Sequence, residues 1–375
     1  MPIIEPDPLP DAILDKLEAG RRLTASDAAL LLRPETDLHA VGRAADRVRR
    51  RRHGDRAYYN VNAHLNPTNV CAYRCPLCAF SCDPGDPRAY VLDQQQILAR
   101  GEEAVAAGCT ELHVVGGVHP QQTFDWYLGI ISSLHVAYPQ LHLKAFTAVE
   151  IAWFCELTGR SVPKILEALI AAGLGSLPGG GAEIFDPEVR RQICPRKPDA
   201  GAWLTVHRWA HRLGLRSNAT MLYGHVETAG QWIDHLVRLR DLQDETGGFQ
   251  AFIPLAFHPA NTGLAGLPPP SGLVDLRIIA AGRLVLDNFE HVKAYWISLG
   301  VDTAQVALAY GADDLDGTVR HERIHHEAGA QSPQALSVPH IEALIREAGR
   351  TPVERDSLYR PVKRSQDIAL GTGIR

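Results

Sequence analysis

Between residues 58 and 309 the chain alternates short strand-like runs with longer helical stretches, and that alternation restricts it to a parallel sheet wrapped by helices. Residues 58–65, 111–115, 142–146, 174–177, 216–222, 250–255 and 291–296 read as strands. Helical patterns occupy the segments between them, each pair recurring at roughly 30–42 residues, the size of a βα unit. Polar and glycine-rich residues follow nearly every strand, and in a closed barrel such loops converge on one mouth. The expected fold is α/β: a (β/α)8 TIM-type barrel over 58–320, preceded by a helical leader over 1–57 and followed by a C-terminal extension over 321–375 that packs on the barrel. A doubly wound open sheet is the structural alternative. Ahead of the barrel, Thr24-Ala-Ser-Asp27 reads as a capping box. Six arginines between Arg47 and Arg56 read as a solvated helix end.

The loop after the first strand reads Asn66-Pro-Thr-Asn-Val-Cys71-Ala-Tyr-Arg-Cys75-Pro-Leu-Cys78-Ala-Phe-Ser-Cys82. Three thiolates at C-x3-C-x2-C spacing suit a four-iron cube whose last iron has no protein ligand and takes a small molecule instead. A closed zinc site completed by Cys82 and a disulfide pair are the other readings. The remaining cysteines, Cys109, Cys155 and Cys194, are scattered, which is not a disulfide framework and suits a reducing compartment.

Lysine and arginine total 38 against 43 acids, a formal charge of −5, so nothing in the balance calls for nucleic acid or an anionic membrane as partner. No run approaches the ~18 apolar residues of a membrane span, and the N-terminus lacks the basic and apolar regions of a signal peptide. The expectation is a soluble, cytoplasmic protein.

A three-cysteine loop directly after the first strand of a parallel array resembles the radical S-adenosylmethionine superfamily. Further segments resemble the aminofutalosine synthase family within it: Glu111-Leu-His-Val-Val-Gly-Gly-Val-His-Pro120, His142-Leu-Lys-Ala-Phe-Thr-Ala-Val-Glu-Ile151, Leu177-Pro-Gly-Gly-Gly-Ala-Glu-Ile-Phe185, Ser217-Asn-Ala-Thr-Met-Leu-Tyr-Gly-His-Val-Glu-Thr228, Phe252-Ile-Pro-Leu-Ala-Phe-His-Pro-Ala-Asn-Thr262 and Gly311-Ala-Asp-Asp-Leu-Asp-Gly-Thr318. Dehypoxanthine futalosine cyclase and the deazaflavin-cofactor synthase subunits share several of them; the segment from Lys144 to Glu150 favours the synthase. The resemblance implies a [4Fe–4S] cluster on Cys71, Cys75 and Cys78, and S-adenosylmethionine as a consumed substrate. It implies addition of the 5′-deoxyadenosyl radical to 3-[(1-carboxyvinyl)oxy]benzoate in menaquinone biosynthesis, a transferase reaction. A reductant such as flavodoxin or ferredoxin is the implied partner. Cyclase-type hydrogen abstraction and a non-catalytic iron–sulfur or zinc sensor are the alternatives.

The residues then take expected roles. Leu77, Gly116, Gly117, Glu183, Glu227 and Leu255 are expected to bind S-adenosylmethionine. The two glycines would admit its ammonium group to backbone carbonyls, and Glu183 would accept from the ribose hydroxyls. A substrate with two carboxylates needs cations or N–H donors. His119, Lys144, Thr147, His258 and Asn261 are expected to supply them, with Lys144 and His258 as the catalytic candidates and Lys144 pointing into the barrel mouth.

Overall fold

The computed structural model describes residues 7–364. The ends of the expected leader and extension, 1–6 and 365–375, lie outside the described residues. In chain order the strands are β1 Arg56–Asn60, β2 Asn62–Leu65, β3 Glu111–Val114, β4 His142–Ala145, β5 Ser176–Leu177, β6 Arg216–Tyr223, β7 Phe249–Ala256, β8 His291–Val292, β9 Asp314–Gly317 and β10 Thr351–Glu354. Strands β2 to β8 form one parallel sheet in sequence order. Its two edges meet through one stretch of chain. Lys293 bridges Asp314 and Ala63 bridges Arg320, both parallel, and the His64 amide donates to the Arg320 carbonyl at 2.7 Å. The segment from Asp314 to Arg320 is therefore the eighth stave, and the open-sheet alternative is excluded.

Strand β1 is not a barrel strand. The single strand expected over 58–65 divides at Val61, because β1 pairs with β9 and β10 while β2 pairs with β3. The C-terminal chain thus adds a strand of its own to a second, three-stranded sheet and closes the lower end of the barrel. There Arg355 reaches Asp314 at 2.6 Å, and the Tyr359 ring stacks on His291 with centroids 3.5 Å apart. Beside it, His53, His291 and Asp313 lie close enough to ligate an ion. However, the second Asp313 oxygen holds Arg283 and the Val292 amide, and His53 Nε2 bonds the Glu290 carbonyl at 3.0 Å, so the trio is a satisfied structural knot.

The barrel interior is polar. Register places Asn62, Glu111 and His142 in one row and His64, His113, Lys144 and Ser176 in the next. Side chains alternate along a strand, so Leu112, Val114, Leu143 and Ala145 pack outward under the helices. Inside, Lys144 pairs with Glu111 at 2.5 Å and Lys293 with Asp316 at 3.3 Å. With Arg355–Asp314 these make three acids against three bases. Branched apolar layers usually fill such barrels; here a charge-balanced ladder does.

The arginine run is a solvated end only in part: Arg47, Arg50, Arg51 and Arg56 are exposed, but two members are not. Arg49 is fully buried, bonded to Asp46 at 2.8 Å and to the Arg56 carbonyl at 3.2 Å. Arg52 ties helix Leu38–His53 to the carbonyls of Phe289 and Asp287. The expected Thr24 capping box is present. Another, Thr147 with Glu150, starts helix Ala148–Thr158, which the periodicity did not reveal.

Candidate active site

The cysteine loop leaves the top of β2 and is pinned to the loop after β3. The Gly117 amide donates to the Thr68 carbonyl and the Ala72 amide to the Val118 carbonyl, each at 2.8 Å. A Cβ on Gly117 would stand 2.2 Å from the Val70 oxygen, and one on Gly116 2.9 Å from the Thr68 oxygen. These glycines line the cavity, and contact between the two loops already requires them to lack a Cβ. Gly117→Ala should push the cysteine loop out of place. Expected is a loss of most reconstitutable iron in a protein that keeps its secondary structure by circular dichroism; wild-type iron content would refute the contact.

Cys71, Cys75 and Cys78 all line one cavity of about 280 Å³ at the barrel mouth. Cys82 does not. Its amide and carbonyl zip the two arms of the loop together (to Asn69 at 2.8 Å and Cys71 at 3.0 Å), and its fully buried sulfur receives the Asn69 amide at 3.3 Å. Among the described residues, His53, His291 and Asp313 are the only trio of His, Cys, Asp or Glu with ligand atoms all within 4.8 Å of one another. The three mouth cysteines are therefore spaced wider than the ligands of one tetrahedral zinc, where Zn–S bonds of ≈ 2.3 Å bring sulfurs to about 4 Å. A larger cube suits them. Burial pushes the Cys75 thiol up to about 12 and raises Cys78 as well; a bound metal ion reverses that penalty.

Around the same cavity stand Leu77, Gly116, Gly117, Thr147, Glu150, the triplet Gly179–Gly181, Glu183, Lys197, Leu255 and His258. Glu183 is 8% exposed, so it is no solvated loop acid. Lys197 Nζ meets its Oε1 at 2.5 Å, and no protein donor among the described residues reaches Oε2. Burial opposes charge on Glu183, and Lys197 outweighs it, holding the carboxyl below its ordinary value. Glu150 accepts from the Gly116 amide at 3.0 Å and from the Thr147 amide and hydroxyl at 2.6 and 2.9 Å; burial pushes its carboxyl up to about 7 against those donors.

Four expected residues stand elsewhere. Lys144 lies in the barrel core, not at the mouth: it shares an inward row with His64 and His113, but its amine is taken by the Glu111 carboxylate of the row below. His119 faces its own turn, accepting from the Gln121 amide at 3.1 Å. Glu227 caps its loop, accepting from the His225 amide at 2.9 Å and the Trp232 indole at 2.8 Å. Asn261 is exposed and donates to the Glu327 carbonyl at 2.9 Å. Conversely, the cavity wall includes His64, His113, Lys197, Tyr295, Asp316, Glu322 and His325, none of which was an expected site residue. A signal existed for the first two: in Asn62-Ala-His-Leu65 and Glu111-Leu-His-Val114 every second residue is polar, which marks inward positions.

Three free thiols at the mouth of a closed parallel barrel, with a glycine-rich wall and a buried carboxylate–lysine pair, define the class of radical S-adenosylmethionine enzymes. The Radical SAM superfamily matches residues 65–239, and the CofH/MqnC C-terminal region matches 246–368. The chain belongs to the aminofutalosine synthase family of that superfamily, whose members use a [4Fe–4S] cluster and S-adenosylmethionine. It is 44% identical over 361 residues to the aminodeoxyfutalosine synthase of Thermus thermophilus, covering 95% of this chain and 97% of the relative. It is also 41% identical over 345 residues to a 5-amino-6-(D-ribitylamino)uracil–L-tyrosine 4-hydroxyphenyl transferase of Methanopyrus kandleri, covering 91% and 93%. In fold it resembles methylornithine synthase, with a TM-score of 0.73 at 18% identity over 96% of this chain and 99% of that one. No described helix is long and apolar enough to cross a membrane.

Proposed function

We propose that this enzyme is an aminodeoxyfutalosine synthase, joining the 5′-deoxyadenosyl group of S-adenosylmethionine to 3-[(1-carboxyvinyl)oxy]benzoate. Methionine is released, the enolpyruvyl carboxyl leaves as bicarbonate or carbon dioxide, and the product enters menaquinone biosynthesis. The observation that carries the reading is the 44% identity to a synthase across both the barrel and the C-terminal region. The 41% identity to the archaeal 4-hydroxyphenyl transferase makes transfer from tyrosine the second reading.

A [4Fe–4S] cluster on Cys71, Cys75 and Cys78 supplies, when bound, the electron that cleaves the sulfonium. The chain does the rest by holding and shielding. Glu183, through its free Oε2, would accept a hydroxyl of the ribose, while Lys197 favours the ionised carboxylate and lies close enough to Cys75 to interact with its thiolate. Leu77 and Leu255 supply apolar walls for the adenine. Glu150 and Thr147, above the end of β4, offer acceptors to an ammonium group. Glu183→Gln should weaken S-adenosylmethionine binding about tenfold or more, the worth of a hydrogen bond to a charged group, with iron content unchanged. An unaltered dissociation constant by equilibrium titration would remove Glu183 from the ribose.

The deciding experiment is anaerobic incubation with S-adenosylmethionine, a reductant and either the enolpyruvyl benzoate or tyrosine plus the ribitylaminouracil, with products read by mass. An adduct that retains the adenosine carbons supports the synthase. Free 5′-deoxyadenosine formed once per turnover would replace it with a hydrogen-abstracting reading.

A further inference from the structure

The floor of the cavity carries an arrangement that the binding of S-adenosylmethionine does not use. His64 on β2 and His113 on β3 are register partners. Their rings stack with centroids 4.6 Å apart at 25°, and both line the cavity. They sit two and three residues before Asn66 and Gly116, hence roughly 7–10 Å deeper along their strands at ≈ 3.3 Å per residue. Their ring nitrogens receive no hydrogen bond from any described residue. His258, by comparison, commits Nε2 to the Ser298 carbonyl at 2.9 Å.

The charges around the pair are already matched. Glu111 beneath it holds Lys144, and Asp316 holds Lys293. Glu322 accepts from the amides of His325 and His326 and from the His326 ring at 2.8 Å. The one lining cation, Lys197, is spent on Glu183, and no arginine lines the cavity. Burial lowers both imidazoles, His113 to about 3, so each keeps one N–H to donate and is a neutral donor rather than a counter-ion.

We propose that His64 and His113 form the subsite for the ring carboxylate of an aromatic substrate. This rests on the reading of the acceptor as a benzoate. The double bond of that molecule must lie at the S-adenosylmethionine end of the cavity, near the strand tops, which directs the far end of the ring, with its carboxylate, to the floor. There two adjacent imidazole N–H groups meet it, with no described residue claiming their ring nitrogens. The pair positions the ring and carries out no bond-making step.

The test measures binding without turnover. The reconstituted enzyme with S-adenosylmethionine is titrated with 3-methoxybenzoate and with the neutral ether anisole. Wild type should bind the benzoate at least tenfold tighter. His113→Phe and His64→Phe should each erase most of that difference and leave the affinity for anisole and S-adenosylmethionine intact. His113→Gln, which keeps an N–H donor, should restore it. Equal wild-type affinity for benzoate and anisole overturns the proposal, as does an equal loss of both ligands in the Phe variants together with no recovery in His113→Gln. If benzoate binds through the histidines but the enolpyruvyl benzoate gives no adenosyl adduct, the synthase reading fails and the carboxylate subsite stands.

Discussion

Single replacement of Cys71, Cys75 or Cys78 by Ala should leave a folded protein without iron, without the brown chromophore, and without cleavage of S-adenosylmethionine. The three sulfurs line the mouth together and are not drawn in as closely as the ligands of a single ion, and a cube stripped to two thiolates has lost a third of its protein ligands. Cys82→Ala should behave differently, although it removes a thiol from the same loop. Its sulfur is turned inward onto Asn69, so the expected cost is about 1 kcal/mol of stability, with iron content preserved. Iron and sulfide analysis of the four variants after anaerobic reconstitution decides it. Loss of the cluster in Cys82→Ala would make that residue a ligand and reopen the zinc reading.

The second large effect is expected at Lys144, through folding and not through substrate. Glu111 and Lys144 are 1% and 3% exposed at the side chain. Burial pushes the Glu111 carboxyl up, but Lys144, Lys293 and Arg355 outweigh burial and hold it well below its ordinary value. Lys144→Met leaves that carboxylate buried without its main partner, which costs on the order of 3–5 kcal/mol. Replacing both members, Lys144→Met with Glu111→Leu, should recover most of the loss, because a well-packed apolar pair can substitute for a buried ion pair. Urea midpoints of the two single variants and the double variant measure this. The converse pattern, with unchanged stability but a raised KM for the acceptor in Lys144→Met, would put the lysine back at the mouth.

Lys144 also shows where reading from sequence stopped. A lysine at an inward position of a strand faces the barrel interior, yet the choice between mouth and core depends on which charged partner its amine meets. That partner is Glu111, 33 positions away, brought near because Lys144 pairs in register with His113 on β3 and Ser176 on β5, 31 and 32 positions away. The same holds for Glu183, whose partner Lys197 comes from beyond an unanticipated helix, Pro187–Ile193.

What the sequence determined by itself was local or periodic. The cysteine spacing defined the metal loop, since ligands a few residues apart stay together in any compact loop. The strand–helix alternation defined a parallel α/β array, since each unit's hydrophobic period is written within its own span. Capping at Thr24 was equally legible, because a cap and its partner lie three residues apart. Tertiary structure alone decided how the barrel closes, with the segment from Asp314 to Arg320 bridging Lys293 on one edge and Ala63 on the other. It alone turned every second strand residue into a charge-balanced interior, and it alone left His64 and His113 unpartnered at the cavity floor. The physical reason is that a buried charge is tolerable only when its partner arrives, and here the partners arrive from strands that meet only once the barrel has closed.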